Sequence, residues 1–303
     1  METTPAVGCH SDGSARYPTP LDAVLRRLRC PLCDAAALQR NTDTLRCPAG
    51  HSFDIARQGH VTLLPGRRRH RGDTAAMVAA RESFLGQGHF GALRSTITAF
   101  AVEHTPRQDG LVADLAGGTG HYLGAALDAL PGAWGVTLDL SVAALRRAGR
   151  AHPRAAAVGA DMWQPLPLAS RSTDVVLNVF GPRTPAEIDR VLTRDGIAIV
   201  ATAGADHLRE LRGRLGVVGV DARKADRLRH AFAGFTAVAR QQVRWRLALE
   251  PREVRALVGM GPSAHHVDGD HRDRVLARLP RIVGLTAAVD VVVLRRDATR
   301  GAG

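Results

Sequence analysis

Leu111-Val112-Ala113-Asp114-Leu115-Ala116-Gly117-Gly118-Thr119-Gly120 is the stretch on which the fold turns. Leu111 to Ala116 is a short apolar run ending beside glycines, and His121 to Leu130 continues with helical spacing. Strand, glycine turn and helix in that order make a ligand-binding βα turn, because glycine lets the backbone bend sharply and approach a ligand closely. Two ligand classes are excluded. A dinucleotide turn needs G-x-G-x-x-G; Gly118 and Gly120 match, but the third position is Leu123. A P-loop needs Gly-Lys followed by Ser or Thr, which this stretch lacks. What remains is an acidic residue followed by a Gly-Gly-x-Gly turn.

Working outward, further strands are expected at Trp134–Leu138, Ala156–Ala160, Asp174–Val179 and Ile197–Ala203. Helices are expected between them at Ser141–Ala151 and Pro185–Leu192. Such alternation indicates a doubly wound parallel sheet. The last third breaks the pattern: Val238–Leu249 and Leu285–Arg295 read as long strands, with a helix at Asp268–Leu279 between them. They suit an antiparallel hairpin at one sheet edge. The second strand ends at Asp139, about 20 residues after the glycines, where a carboxylate can accept both ribose hydroxyls of a nucleoside. Ser141 is placed to cap the next helix. Gly159-Ala-Asp161-Met162 follows the third strand and Leu177-Asn178-Val179-Phe180-Gly181-Pro182 the fourth. This series resembles the motifs of Rossmann-like class I S-adenosylmethionine-dependent methyltransferases. The resemblance implies cofactor contacts at Asp114, Gly117, Gly118, Thr119, Gly120 and Asp139. Asp161 would pair with the adenine amino group, Met162 would pack on the ring, and the fourth strand would end at the transferable methyl. Ala116 stands where such turns usually carry their first glycine.

The N-terminal part holds a second pattern. Cys30-Pro-Leu-Cys33 and Cys47-Pro-Ala-Gly-His51 have the spacing C-x2-C-x13-C-x3-H. Two knuckles of this kind offer zinc three thiolates and an imidazole at tetrahedral corners, a closed structural site with no open position for catalysis. About forty residues bury little core on their own, so the metal would hold the module folded. Cys9, the fourth cysteine, lies in a polar N-terminal stretch without an apolar signal-peptide core, and a cytoplasmic protein is expected. The formal net charge of +12 is carried almost wholly by arginine, Lys224 being the only lysine. A phosphate polyanion is the natural partner of such a surface. Arg67, Arg68, Arg69 and Arg71 fall between the zinc module and the catalytic motifs, and are candidate RNA phosphate contacts. The three tryptophans, Trp134, Trp163 and Trp245, are expected to pack rather than to stack on a ligand. The plan is a flexible tail with a short lead-in helix over residues 1–25, a zinc module over 26–66, a basic linker and helical lead-in over 67–109, and the methyltransferase domain over 110–303.

From about Leu28 to Arg295 the chain resembles the RlmA family of 23S rRNA guanine-N1 methyltransferases, on its TlrB-type macrolide-resistance branch. The residues that carry the match include Cys47 to Leu64, Gly72-Asp73 through Arg81, Phe84 through Phe90, Leu177 to Arg183, and Met260-Gly-Pro-Ser263. The resemblance implies cofactor neighbours at Phe90 and His207 and backbone contacts at Gly118 and Thr119. Phe90 replaces the usual Tyr, and His60 likewise. It also implies a zinc ribbon beside a Rossmann-like domain, a homodimer whose pair forms an RNA cleft, and guanine 748 in hairpin 35 of 23S rRNA as target. Asn178 is the candidate for orienting the guanine edge. Two other readings stay open: a small-molecule methyltransferase, and a non-catalytic zinc-dependent RNA-binding protein.

Overall fold

The computed structural model describes residues 19–36, 38–65, 70, 72–215, 229–261 and 269–297. Among these, two sheets form. A small antiparallel sheet runs β1 (Gln39–Asn41), β2 (Thr44–Arg46) and β3 (Ser52–Asp54). The large sheet has eight strands: β4 (Val61–Thr62), β5 (Leu111–Leu115), β6 (Trp134–Asp139), β7 (Ala155–Gly159), β8 (Thr173–Val179), β9 (Leu192–Ala203), β10 (Phe235–Leu249) and β11 (Val283–Arg296). Their spatial order is β10-β11-β9-β8-β5-β6-β7-β4. Pairing is parallel from β9 to β4, while β11 runs antiparallel to both β9 and β10. The expected late hairpin is therefore present at one edge, and every parallel strand read from the sequence is found within a few residues. Strand β9 begins earlier than expected, at Leu192, and its register shifts where Gly196 passes close under the Thr173 and Asp174 carbonyls.

Residues alternate between the two faces with a period of two, as strands require. Val112, Val175, Leu177, Ile197 and Ile199 face one core, with α2 (Ala75–Gly86), α3 (Gly91–His104) and α4 (His121–Ala129) packed over it. Leu111, Ala113, Leu115, Val176, Ala198 and Val200 face the other core, covered by α1 (Pro20–Val24), the helix Pro185–Val191 and the small sheet. Burial on both faces is what a parallel sheet demands. Of the segment expected as tail, residues 20–24 are the lead-in helix, capped by Thr19, with Leu21 and Val24 buried.

The zinc module joins this sheet more closely than the sequence suggested. Strand β4 continues the large sheet beyond β7, with Val61 opposite Val158 and Thr62 opposite Gly159. A second seam links Arg29 N–H to the Pro167 carbonyl at 3.1 Å and Ala169 N–H to the Arg27 carbonyl at 2.8 Å. Cys30, Leu45, Cys47 and Phe53 belong to the same apolar cluster as Leu138 and Val158. No helix among the described residues is long and apolar enough to cross a membrane.

Candidate active site and metal centre

In the small sheet two reverse turns bring the knuckles together. Asp34 N–H bonds the Cys30 carbonyl and Gly50 N–H the Cys47 carbonyl, each at 2.9 Å. The backbone turns left-handed at Asp34 and Gly50, φ 55° and 86°. The donor atoms of Cys30, Cys33, Cys47 and His51 all lie within 4.8 Å of one another. Cys33 Sγ is 3.7 Å from Cys47 Sγ, and His51 Nδ1 is 3.5 Å from Cys30 Sγ and 3.3 Å from Cys47 Sγ. A tetrahedral zinc places sulfurs about 3.8 Å apart and sulfur and nitrogen about 3.6 Å apart. The four donors therefore fit one zinc ion. Burial alone would raise the Cys47 thiol, but hydrogen bonds from the His51 and Ala49 backbone, Cys33 and the His51 ring bring it down to about 6. A thiol so placed is ready to ligate as thiolate.

The glycine-rich turn lies where the strand order reverses, between β5 with β6 on one side and β8 on the other, the usual place for a ligand crevice. Gly118 and Gly120 are left-handed, φ 59° and 77°, and Gly120 begins α4. Ala116 is left-handed too, φ 54°, so the residue that replaces the usual glycine is held in glycine's conformation. Asp139 closes the turn: its Oδ2 accepts from Gly118 N–H at 2.9 Å and its Oδ1 from Ser141 N–H at 2.8 Å. Burial, ahead of the opposing backbone bonds, raises its carboxyl above the ordinary value. Asp114 lies under the turn rather than in the crevice. It is 1% exposed, its Oδ2 lies 2.4 Å from where a Cβ on Gly117 would sit, and neither oxygen has a hydrogen-bond partner. Burial first, and the charge of Asp139 second, push it up to about 8.

Two residues that carried no site role in the sequence reading complete this end. Arg81 of α2 lies over Gly118, pairs with Asp73 at 2.5 Å, and donates to the Met260 carbonyl at 2.8 Å. The chain at Gly72 passes so close to Ser141 that a Cβ there would sit 2.7 Å from its nitrogen. At the end of β7, Asp161 accepts from Trp163 N–H at 3.0 Å through Oδ1, while Oδ2 lies 2.9 Å from His70 Nδ1. Met162 is buried in the core, and the ring exposed beside Asp161 is Trp163, at 57%. The expectation that Trp163 packs is thus corrected: four residues after β7 ends, its side chain lies at the surface beside His70. Trp245 does pack, edge-on to Phe90 at 5.3 Å, with its indole N–H on the His89 carbonyl.

On the other side of the turn Phe90, Phe180 and His207 converge, their ring centroids 5.9 to 6.5 Å apart. Ala288 N–H donates to His207 Nδ1 at 3.3 Å, which places the neutral ring's proton on Nε2. Asn178 is 1% exposed and gives its amide to the Pro182 carbonyl at 2.8 Å, so it holds the turn after β8 and does not reach into the crevice. The four arginines Arg67, Arg68, Arg69 and Arg71 lie outside the described residues. Of the expected cofactor residues, Gly117, Gly118, Thr119 and Gly120 follow β5, Asp139 ends β6 and Asp161 follows β7, with Phe90 and His207 beside Phe180, while Asp114 and Met162 lie buried beneath them.

A family model described as the RlmA N-terminal zinc ribbon matches residues 28–71. A protein of Micromonospora griseorubida, named by inference a 23S rRNA (guanine-N(1)-)-methyltransferase, is 47% identical over 283 residues, covering 88% of this chain and 96% of that protein. This chain belongs to the 23S rRNA (guanine-N1)-methyltransferase family. The 23S rRNA (guanine(748)-N(1))-methyltransferase of Streptomyces fradiae is 43% identical over 275 residues, 90% of this chain and 98% of that one. A Bacillus subtilis relative, YxjB, is 30% identical over 287 residues, 88% and 95% of the two chains. The chain is an S-adenosylmethionine-dependent enzyme with a structural zinc. The glycine turn closed by Asp139 would hold that cofactor, which supplies the electrophilic methyl when bound.

Proposed function

We propose that this enzyme methylates N1 of guanine 748 in hairpin 35 of 23S rRNA, and so protects ribosomes from macrolides such as tylosin or mycinamicin. The observation that carries the reading is the 43% identity, over 98% of its length, to the Streptomyces fradiae guanine(748) enzyme. The geometry agrees with it. Asp139 is set to hold the ribose, Asp161 to receive the adenine edge, and the turn of Gly117, Gly118, Thr119 and Gly120 to admit the backbone-lined end of the cofactor. Arg81, a guanidinium over Gly118, matches in charge the carboxylate of the cofactor's amino-acid end. Phe90 and His207 border the methyl.

Guanine N1 carries a proton at neutral pH. It must be lost for the nitrogen lone pair to attack the sulfonium methyl in line, and the base must leave its pair or stack first. Hairpin phosphates would bind the basic segment at Arg67, Arg68, Arg69 and Arg71, with a homodimer forming the cleft, in the cytoplasm. Reverse transcription of 23S rRNA from cells with and without the gene tests the assignment, because an N1 methyl blocks pairing and stops copying. A gene-dependent stop next to guanine 748 is expected. No stop, with methyl transfer to small molecules instead, would overturn it. Replacing the four arginines should flatten the salt dependence of hairpin binding by up to about 0.7 to 0.9 log units per lost contact.

A further inference from the structure

Phe180 stands apart from every other described residue. It is a large apolar side chain that is 44% exposed, and its backbone is left-handed, φ 58°. Among the described residues, no other exposed large apolar side chain sits on a left-handed backbone. Exposing a phenyl ring forgoes burial energy, and a left-handed backbone is strained for any residue with a Cβ. Such strain persists only where the surroundings enforce it, and it concentrates at functional sites.

The surroundings here are built for that purpose. Phe180 N–H bonds the Ala201 carbonyl of β9 at 3.0 Å. Asn178 anchors the turn from below through Pro182. Gly181 packs where a Cβ would meet Asn178 Nδ2 at 3.0 Å and Ala116 Cβ at 3.1 Å, so the turn has no room to relax downward. The ring is thereby lifted to the mouth of the crevice, 5.9 Å from His207 and 6.5 Å from Phe90.

Position decides what the ring meets. The adenine end of the cofactor belongs to β6 and β7, marked by Asp139 and Asp161. Strand β8 is three places from β7 across β5 and β6. At about 4.8 Å per strand that is roughly 14 Å, too far to share one base with the adenine edge. The turning point between them is left for the methyl, and Phe180 lies beyond it.

We propose that Phe180 is the platform on which the extruded target guanine stacks, a positioning residue for the methylation that rests on the RNA reading above. The aromatic face would hold the purine ring after it leaves its stack, with Phe90 and His207 behind the ring. Base-on-aromatic stacking is common in recognition of unstacked RNA bases and tolerates their rotation into line.

The test compares the wild type with Phe180→Gly, Phe180→Leu and Phe180→Tyr on a hairpin RNA containing the target guanine. Phe180→Gly should lose about five- to hundredfold in kcat/KM for RNA, the range expected of one base–aromatic stack. Its melting temperature should not fall, because glycine relieves the left-handed strain. Its affinity for S-adenosylmethionine should be unchanged. Phe180→Tyr should restore the loss, and Phe180→Leu, apolar without an aromatic face, should not. In a hairpin with 2-aminopurine at the target, binding should quench the flipped base in the wild type and leave it bright in Phe180→Gly. Equal RNA kinetics in wild type and Phe180→Gly would overturn the proposal, as would full activity in Phe180→Leu or a fall in cofactor affinity or stability in Phe180→Gly. Failure of the RNA reading looks different: the wild type itself would transfer no methyl to the hairpin, and this proposal would fall with it.

Discussion

Removing one zinc ligand should disable the catalytic sheet as well as the ribbon. Cys33 is the ligand to choose, because it is exposed, whereas Cys30 and Cys47 are buried in the shared core. Cys33→Ser therefore isolates loss of the metal from loss of packing. The ribbon brings Leu28, Leu45, Val61 and Leu63 into that core, each at most 1% exposed. At about 1.5–3 kcal/mol for each buried side chain, the four contribute roughly 6–12 kcal/mol. A domain is stable by only about 5–15 kcal/mol in total. The parallel bonds of β4 to β7 and the Arg27–Arg29 seam would go with them. We expect Cys33→Ser to bind no stoichiometric zinc and to melt at least about 10 °C lower, taking about 2 to 4 °C per kcal/mol. It should also bind S-adenosylmethionine more weakly, because Asp161 follows directly on β7, the strand that β4 supports. Metal content, thermal denaturation and cofactor calorimetry on the same preparations check this. A variant that loses zinc yet keeps its melting temperature and cofactor affinity would refute the shared core as a single folding unit.

Three further outcomes are expected. Ala116→Gly should raise the melting temperature by a few degrees, because the left-handed backbone at φ 54° costs alanine about 1–2 kcal/mol, only partly offset by the extra freedom of unfolded glycine; a lower melting temperature would show that the Ala116 methyl, which packs on Gly181, outweighs the strain. The carboxyl of Asp114 titrates at about 8 in the fold against 3.8 as its ordinary value, so the folded state binds its proton more tightly and stability falls as pH rises between those values. Thermal melts of the cofactor-free protein from about pH 5 to about pH 8 should therefore decline, and decline less in Asp114→Asn; parallel profiles would place the carboxyl's titration elsewhere. Arg81→Met keeps the apolar stem but removes the guanidinium above Gly118, and calorimetry should show S-adenosylmethionine affinity about ten- to hundredfold lower with hairpin affinity unchanged.

The sequence disclosed what is local or periodic. The run Leu111 to Ala116 with its glycines announced the crevice, and the knuckle spacing of Cys30, Cys33, Cys47 and His51 announced the metal, because both depend on neighbours a few residues away. Asp139 was legible for the same reason: it ends a strand. The helix Pro251–Gly259 carries local signals too, a capping box from Glu250 to Glu253 and proline at its start. Other features carry no local mark. Strand β4 is two residues long, and no periodicity distinguishes Val61 and Thr62 from loop. Arg81 meets Gly118 only because α2 folds back over the turn. The burial of Met162 and the exposure of Trp163 depend on which way the chain leaves β7, and the burial of Asn178 on a turn that the letters Asn-Val-Phe-Gly-Pro do not specify.

Strand β4 also sets a timetable for synthesis. Val61 and Thr62 leave the ribosome long before Val158 and Gly159, the residues they pair with, which come about a hundred residues later. At about 5–20 residues per second that is a wait of roughly 5–20 s. During this interval the apolar underside of the ribbon has no sheet to lie on. The knuckles, in contrast, are complete once His51 has emerged, so metal is able to organise them at once. The ion then acts as a clasp in time as well as in space: it holds the module that carries Val61 together until β7, the strand β4 pairs with, arrives beside it.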